Sequence, residues 1–255
     1  MIQNQKDNNT DIIVGRNAVL EALRAQSEID SVMVAKGDRQ GSIAKIVAIC
    51  RERGIPVKEV SPEKLVHLAQ GEAHQGVAAV IAAVKYVQLA DILAKAKEEG
   101  TYPFVIIADG IEDPHNLGAL IRTAEAAGAH GIVIPKRRSA SVTAAVYKAS
   151  AGACAHLPVA RVANIATALD ELKQNGVWIY GADMGGSMWC ELDYSGGVGL
   201  VIGSEGEGLS RLVKDKCDFI ISLPMLGKVS SLNASVAGGI LMYEVARQRN
   251  GLKSR

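Results

Sequence analysis

Phe104-Val105-Ile106-Ile107-Ala108 is an unbroken apolar run that gives way at once to Asp109-Gly110-Ile111-Glu112-Asp113-Pro114-His115-Asn116, after which a helical pattern occupies residues 117–127. A strand without polar alternation is buried on both faces, as in a parallel sheet covered by helices on either side. The same order recurs downstream. Strand-like runs lie at 131–134, 177–180, 199–202 and 219–223, and helical patterns at 141–150, 165–173, 209–214 and 232–249. Apolar strands alternating with helices predict an α/β domain over residues 102–250 built on a parallel sheet.

Working outward, residues 87–101 hold a charged amphipathic stretch at 91–99. It reads as a linking helix, because a flexible spacer would be enriched in Gly, Ser or Pro. Residues 11–86 show a smaller alternation, with helical patterns at 18–25 and 43–53 and strands at 31–35, 56–60 and 77–84. They predict a second, small α/β domain. Residues 1–10 are polar and read as a disordered tail.

Composition excludes several classes. The 255 residues are 48% hydrophobic and 22% charged, too apolar for a disordered chain. The longest apolar run, Val77 through Val84, is far shorter than the roughly 20 residues of a membrane helix. With no basic-then-apolar leader pattern and four scattered cysteines (Cys50, Cys154, Cys190, Cys217), the expected compartment is a reducing cytoplasm, with neither disulfides nor a metal centre. The net charge of +1 argues neither for nor against nucleic acid, so any such partner must be read from local sites.

In a sheet of this kind ligands gather at the carboxyl ends of the strands, so the turns there carry the chemistry. The first turn leads into a helix on which Gly118 and Arg122 are four residues apart. The glycine would leave room for a phosphate or ribose to approach the guanidinium. A plainer reading makes Asn116 the helix cap and pairs Arg122 with Glu125. The second turn, Gly203-Ser204-Glu205-Gly206-Glu207-Gly208, allows close backbone approach but matches neither the P-loop nor the dinucleotide fingerprint. Its two glutamates would repel phosphates and suit a ligand bearing positive charge. The third turn runs from Leu223-Pro224-Met225 to Ser230-Ser231-Leu232-Asn233-Ala234-Ser235. Pro224 is expected to end a strand and Ser230 or Ser231 to open the last helix. Its exposed N–H groups and small polar side chains suit a nucleoside.

Taken together, Asn116-x-Gly118-x-x-x-Arg122, Gly203-x-Glu205-x-x-Gly208 and Leu223-Pro224-Met225…Ser231-Leu232-Asn233-x-Ser235-x-Ala237 resemble the three motifs of the SpoU/TrmH branch of the SPOUT superfamily. These are S-adenosylmethionine-dependent RNA ribose 2′-O-methyltransferases. Gly15-Arg16-Asn17-Ala18-Val19 and His74-Gln75-Gly76-Val77 resemble that branch's N-terminal RNA-binding domain, related to a ribosomal-protein fold, so the likeness covers nearly the whole chain.

The resemblance implies a deep trefoil knot in the C-terminal domain, a rare exception to unknotted topology, and a homodimer whose site is completed across the interface. It places Gly203, Leu223 and Leu232 around S-adenosylmethionine, and Asn116, Arg122, Glu205, Ser231 and Asn233 at the reacting centre. RNA contacts are expected at Arg16, His74, Lys136, Arg137 and Arg138. No metal is called for, since an electrophile already carrying positive charge mainly needs alignment. Within the branch the nearest likeness is to bacterial enzymes that methylate a guanosine in 23S ribosomal RNA. Methylation of transfer RNA, or RNA binding without catalysis, are the competing readings. A dinucleotide oxidoreductase is disfavoured by the missing fingerprint and the two glutamates.

Overall fold

The computed structural model describes residues 12–24, 28–37, 41–69, 71–81 and 84–251, so the tail read at residues 1–10 lies outside the described residues. The chain divides into two compact units, residues 1–85 and 86–255.

The first unit is a four-stranded mixed sheet in the order β1-β4-β2-β3. β1 (Ile12–Val14) and β2 (Ile29–Ala35) flank β4 (Val77–Ile81) antiparallel, and β3 (Val57–Val60) lies parallel to β2. Among the described residues three helices complete the unit: α1 (Arg16–Arg24), α2 (Ser42–Glu52) and α3 (Pro62–Ala69). The apolar run beginning at Val77 is one of the two inner strands, with Val77, Ala78 and Ala79 wholly buried. β1 has no counterpart in the strand pattern of the sequence. Three residues are too few to show a period, and the strand exists because β4 offers it a paired edge.

The second unit holds a six-stranded, all-parallel sheet in the order β10-β8-β9-β5-β6-β7. Its strands are β5 (Phe104–Asp109), β6 (Gly131–Pro135), β7 (Val159–Val162), β8 (Val177–Met188), β9 (Gly197–Gly203) and β10 (Phe219–Ser222). Helices α4 (Leu89–Glu98), α5 (Pro114–Ala126), α6 (Ala144–Ala149), α7 (Ile165–Gln174), α8 (Arg211–Lys216) and α9 (Ala234–Arg249) accompany it. Val105, Ile106 and Ile107 are 0% exposed, as the unbroken apolar run requires. Complete burial of each such side chain contributes about 1.5–3 kcal/mol.

Several boundaries differ from the sequence reading. β7 was not legible, because Val159-Ala160-Arg161-Val162 is an edge strand with a charged residue in its middle. β8 runs on to Met188 through three glycines that break any apolar run. α4 is a helix as expected, but it packs as part of the second unit. Its Leu89 and Ile92 are buried in the core, and a Cβ on Gly131 would lie 2.5 Å from Ile92 Cδ1. β10 stops at Ser222, two residues before Pro224. The last helix begins at Ala234, with Asn233 rather than Ser230 or Ser231 at its N-cap.

The far end of α9 is fastened to the sheet by Arg249. Its guanidinium donates to the carbonyls of Tyr102 (2.9 Å), Pro103 (3.0 Å), Tyr194 (3.2 Å) and Gly196, and burial pulls its pKa down to about 10. Glu244, one turn earlier, is buried and accepts from Arg247 and Gln248. These bonds leave α9 little freedom, so its N-terminus at Asn233 is presented from a rigid support.

Candidate active site

Each of the three turns has its own local cause. In the first, Asp113 caps α5, with Oδ1 accepting from His115 N and Oδ2 from Asn116 N, each at 3.2 Å, and Pro114 occupies the first helical turn. The cap is therefore Asp113, and the side chain of Asn116 is released for other work. In the second turn, Ser204 and Gly208 exchange backbone bonds of 3.1 and 3.0 Å, closing a tight loop with Gly206 and Gly208 at φ +85° and +68°. A Cβ on Gly203 would lie 2.3 Å from the Gly208 carbonyl carbon, so no larger residue fits there. Glu205 is carried at the tip. In the third turn, Asn233 Oδ1 caps α9 by accepting from Ser235 N (3.0 Å) and Val236 N (3.3 Å).

The three turns meet in one hydrogen-bonded node. Asn116 Nδ2 donates to Glu205 Oε1 at 3.1 Å, and Asn233 Nδ2 donates to the same oxygen and to Asn116 Oδ1 at 2.8 Å. Ala234 N also donates to Glu205 Oε1, at 3.3 Å. All of the carboxylate's donors therefore converge on one oxygen. Among the described residues Oε2 receives none.

Two cavities flank the Gly-rich turn, and both are lined by Ser204, Glu205, Glu207 and Gly208. The smaller, about 300 Å³, is walled by Gly203, Leu223, Ser231 and Leu232, with Asp183 and Leu241 alongside. Gly203, Leu223 and Leu232, expected from the sequence around one ligand, thus share a single cavity. The larger, about 790 Å³, is lined by Asn116, Glu112, Arg137, Arg138 and Ser210. Arg138 is held at φ +55°, and among the described residues neither Arg137 nor Arg138 makes a hydrogen bond or ion pair. Lys136 lines neither cavity.

Other expected residues are placed differently. Arg122 is exposed on α5, lines neither cavity, and among the described residues has no ion pair with Glu125 or any other acid. Ser231 lines the smaller cavity without a hydrogen bond to the node. Gly118 does not open space beside Arg122. It is buried, and a Cβ there would meet Ala149 Cβ at 2.4 Å, so it lets α5 and α6 pack closely. In the first unit, Arg16 and His74 each bond within the turn before β4. Arg16 Nε donates to the Gln75 carbonyl at 2.8 Å, and Gly76 N donates to His74 Nδ1 at 3.0 Å.

Sequence reasoning missed Asp183 and Asp109. Asp183 lies on the extension of β8, where its Oδ2 is 2.6 Å from Lys214 Nζ and its Oδ1 accepts from Met184 N at 2.7 Å. Asp109 ends β5 and accepts from Ser210. Asp109 ends its strand and Asp183 follows the apolar part of β8, and those positions are the only signal that could have singled them out. Among the described residues no group of three or more His, Cys, Asp or Glu is arranged to hold a metal ion, and no helix is long and apolar enough to cross a membrane.

Known proteins resemble this chain along nearly its whole length. Residues 103–243 match the SpoU rRNA Methylase family, and residues 12–87 match the RNA 2′-O ribose methyltransferase substrate binding family. The TrmH-family protein YacO of Bacillus subtilis is 48% identical over 241 residues, 94% of this chain and 96% of that protein. A TrmH-family protein of Staphylococcus epidermidis is 46% identical over 96% of this chain and 98% of its own length. Among solved structures, the SpoU methyltransferase AviRb of Streptomyces viridochromogenes, in complex with AdoMet, has the same fold. It is 24% identical, with a TM-score of 0.61 over 98% of this chain and 96% of that one. The AdoMet-bound rRNA methyltransferase of Sinorhizobium meliloti is 26% identical, with a TM-score of 0.58 over 99% of this chain and 92% of its own. The chain belongs to the SpoU/TrmH family of RNA 2′-O-ribose methyltransferases.

Proposed function

We propose that this protein transfers the methyl group of S-adenosylmethionine to the 2′-hydroxyl of a guanosine ribose in 23S ribosomal RNA, working as a homodimer in the cytoplasm. The observation that carries the reading is the node itself. Asn116, Glu205 and Asn233, up to 117 residues apart in sequence, are bonded to one another, and Glu205 also lines the cavity walled by Gly203, Leu223 and Leu232.

The residues of the smaller cavity fit the cofactor. Its apolar walls at Leu223, Leu232 and Leu241 suit an adenosyl group, and Gly203 keeps the backbone free of side-chain bulk. The carboxylates of Asp183, Glu205 and Glu207 suit a sulfur cation. When bound, S-adenosylmethionine supplies a methyl group on a positively charged sulfur that departs as a neutral thioether.

The chain's own residues would do the rest. Asn116 and Asn233 hold Glu205 Oε1, which leaves Oε2 as the acceptor for an incoming ribose hydroxyl. Ser231 sits on the cofactor side of that acceptor. Arg122, whose planar guanidinium offers several donors, would stabilise the developing alkoxide and the neighbouring phosphate. It lines neither cavity of its own chain, which supports delivery of Arg122 to the site of a second copy. A stripe of exposed apolar residues on α9 (Val236, Ile240 and Tyr243) would be covered in such a dimer. The larger cavity would receive the nucleotide, with Arg137 and Arg138 against its phosphates and Lys136 nearby. Residues 11–86, with Arg16 and His74, would capture the RNA, residues 87–101 would join them to the catalytic part, and residues 102–250 would carry the knotted catalytic domain.

Ribosomal RNA is favoured over transfer RNA because of the substrate-binding region at residues 12–87. The TrmH/SpoU tRNA modifying enzyme of A. aeolicus, 29% identical with a TM-score of 0.54, covers only 64% of this chain. Mapping ribose methylation in RNA from a strain lacking the gene tests the proposal. A single lost 2′-O-methylguanosine in 23S RNA is expected, and loss in transfer RNA alone would replace the target.

A further inference from the structure

We infer that Asp109 is a positioning residue that holds the Gly-rich turn by both ends and so sets where Glu205 stands. The inference rests on the methyltransferase reading for its kinetic consequence, though not for its geometry.

Asp109 is the last residue of β5, and its backbone pairs in register with Gly203, the last residue of β9. The turn therefore departs from a point held by Asp109's own strand. Seven residues later the chain returns to the same side chain. Asp109 Oδ2 accepts from Ser210 N at 3.0 Å and from Ser210 Oγ at 2.9 Å. Ser210 occupies the N-cap position of α8, yet its hydroxyl makes no cap bond there and donates to Asp109 instead. A two-donor bond to a carboxylate is directional as well as stronger than a neutral pair.

Between these anchors the loop has little room to slide. Ser204 and Gly208 are mutually bonded, Gly203 abuts the Gly208 carbonyl, and a Cβ on Gly110, next to Asp109, would stand 3.5 Å from Ser204 Cβ. Glu205 sits inside this closed segment and is the acceptor on which Asn116, Asn233 and Ala234 converge. Asp109 and Ser210 both face the larger cavity, while the loop they hold is also a wall of the smaller one. Losing the clamp would let the wall shift relative to both ligands, and a displacement near 1 Å at a reacting centre lowers rate by about 10²-fold.

The test compares full-length wild type with Asp109→Ala, Ser210→Ala and Ser210→Thr. Amide hydrogen exchange on the cofactor-free protein reads the loop, calorimetry reads S-adenosylmethionine affinity, and methylation of RNA reads kcat and KM. Faster exchange confined to residues 204–210 is expected in both alanine variants. Weaker cofactor binding and a kcat lowered by about ten- to a hundred-fold should accompany it, with KM for RNA near wild type and Ser210→Thr close to wild type throughout. Ser210→Ala keeps the backbone bond, so it decides the matter if Asp109→Ala does not fold. Unchanged exchange and kcat in a folded alanine variant would overturn the inference, as would a lowered melting temperature with kcat intact. A wild type that methylated no RNA would refute the functional reading alone, because the exchange arm still reports on the clamp.

Discussion

The side-chain amide of Asn233 donates to the side-chain oxygen of Asn116 at 2.8 Å, across 117 residues of chain, and both amides donate to one oxygen of Glu205. The two asparagines nevertheless differ in what else they do. Asn233 caps α9 through its own oxygen, whereas the cap of α5 is Asp113 and leaves Asn116 without that duty.

That difference separates their substitutions. Asn116→Ala should lower kcat while leaving the thermal midpoint near wild type. Asn233→Ala should lower kcat and also cost about 0.5–2 kcal/mol of stability through the lost cap. Methylation kinetics paired with calorimetric unfolding check both. Equal stability losses would mean that the cap assignment is wrong.

Arg122 is exposed and off the buried stripe formed by Leu117, Leu120, Ile121 and Ala124. Arg122→Ala should therefore fold with an unchanged melting temperature and bind S-adenosylmethionine normally. Its methyl transfer should fall by about 10²–10³-fold, the range for removing a charge-stabilising donor. A fully active variant would remove Arg122 from the mechanism.

Gly118 packs against Ala149 with no room for a methyl group. Gly118→Ala should destabilise the protein by about 1–3 kcal/mol through overpacking. The double variant Gly118→Ala with Ala149→Gly moves the methyl to the other side of the contact and should recover much of the loss. Denaturant unfolding of these two variants and of Ala149→Gly alone measures this coupling. Strict additivity would show that the helices do not meet as described.

His130 is buried, and its Nδ1 accepts from Phe104 N at 2.9 Å while Nε2 lies 2.9 Å from Thr101 Oγ1. Burial lowers its pKa below the usual 6.5, against the opposing pull of Glu99. A depressed value means that the fold favours the neutral ring. Its stability contribution is thus complete above the unfolded value near 6.5 and is lost as pH falls through the lower folded value. The melting temperature of wild type should drop between pH 7 and pH 5 more steeply than that of His130→Gln. A steeper drop in the variant would reverse the sign of this argument.

Much of the architecture was legible because it depends on short-range pattern. The buried run at residues 104–108 announces a parallel strand, and the helical stripe after it announces a covering helix. What escaped were elements whose existence is conferred by a neighbour. The edge strand β7 carries Arg161 in its middle, β1 is three residues long, and the extension of β8 passes through Gly185 and Gly186. At the site, the sequence pointed to Asn116, Glu205 and Asn233 as residue types in suggestive turns, while Asp109, Asp183 and Ser210 bore no mark beyond lying after strands.

The sequence by itself determined most of the strands and helices and which turns could bear chemistry. Periodicity, turn composition and backbone freedom are properties of a few consecutive residues. Only the tertiary structure decided that β9 lies beside β5, that α9 starts against the Gly-rich turn, and that Gly118 serves helix packing rather than ligand approach. Those outcomes depend on strand order and on contacts between residues a hundred positions apart. No local preference encodes them, because burial and hydrogen bonding are settled across the whole sheet at once.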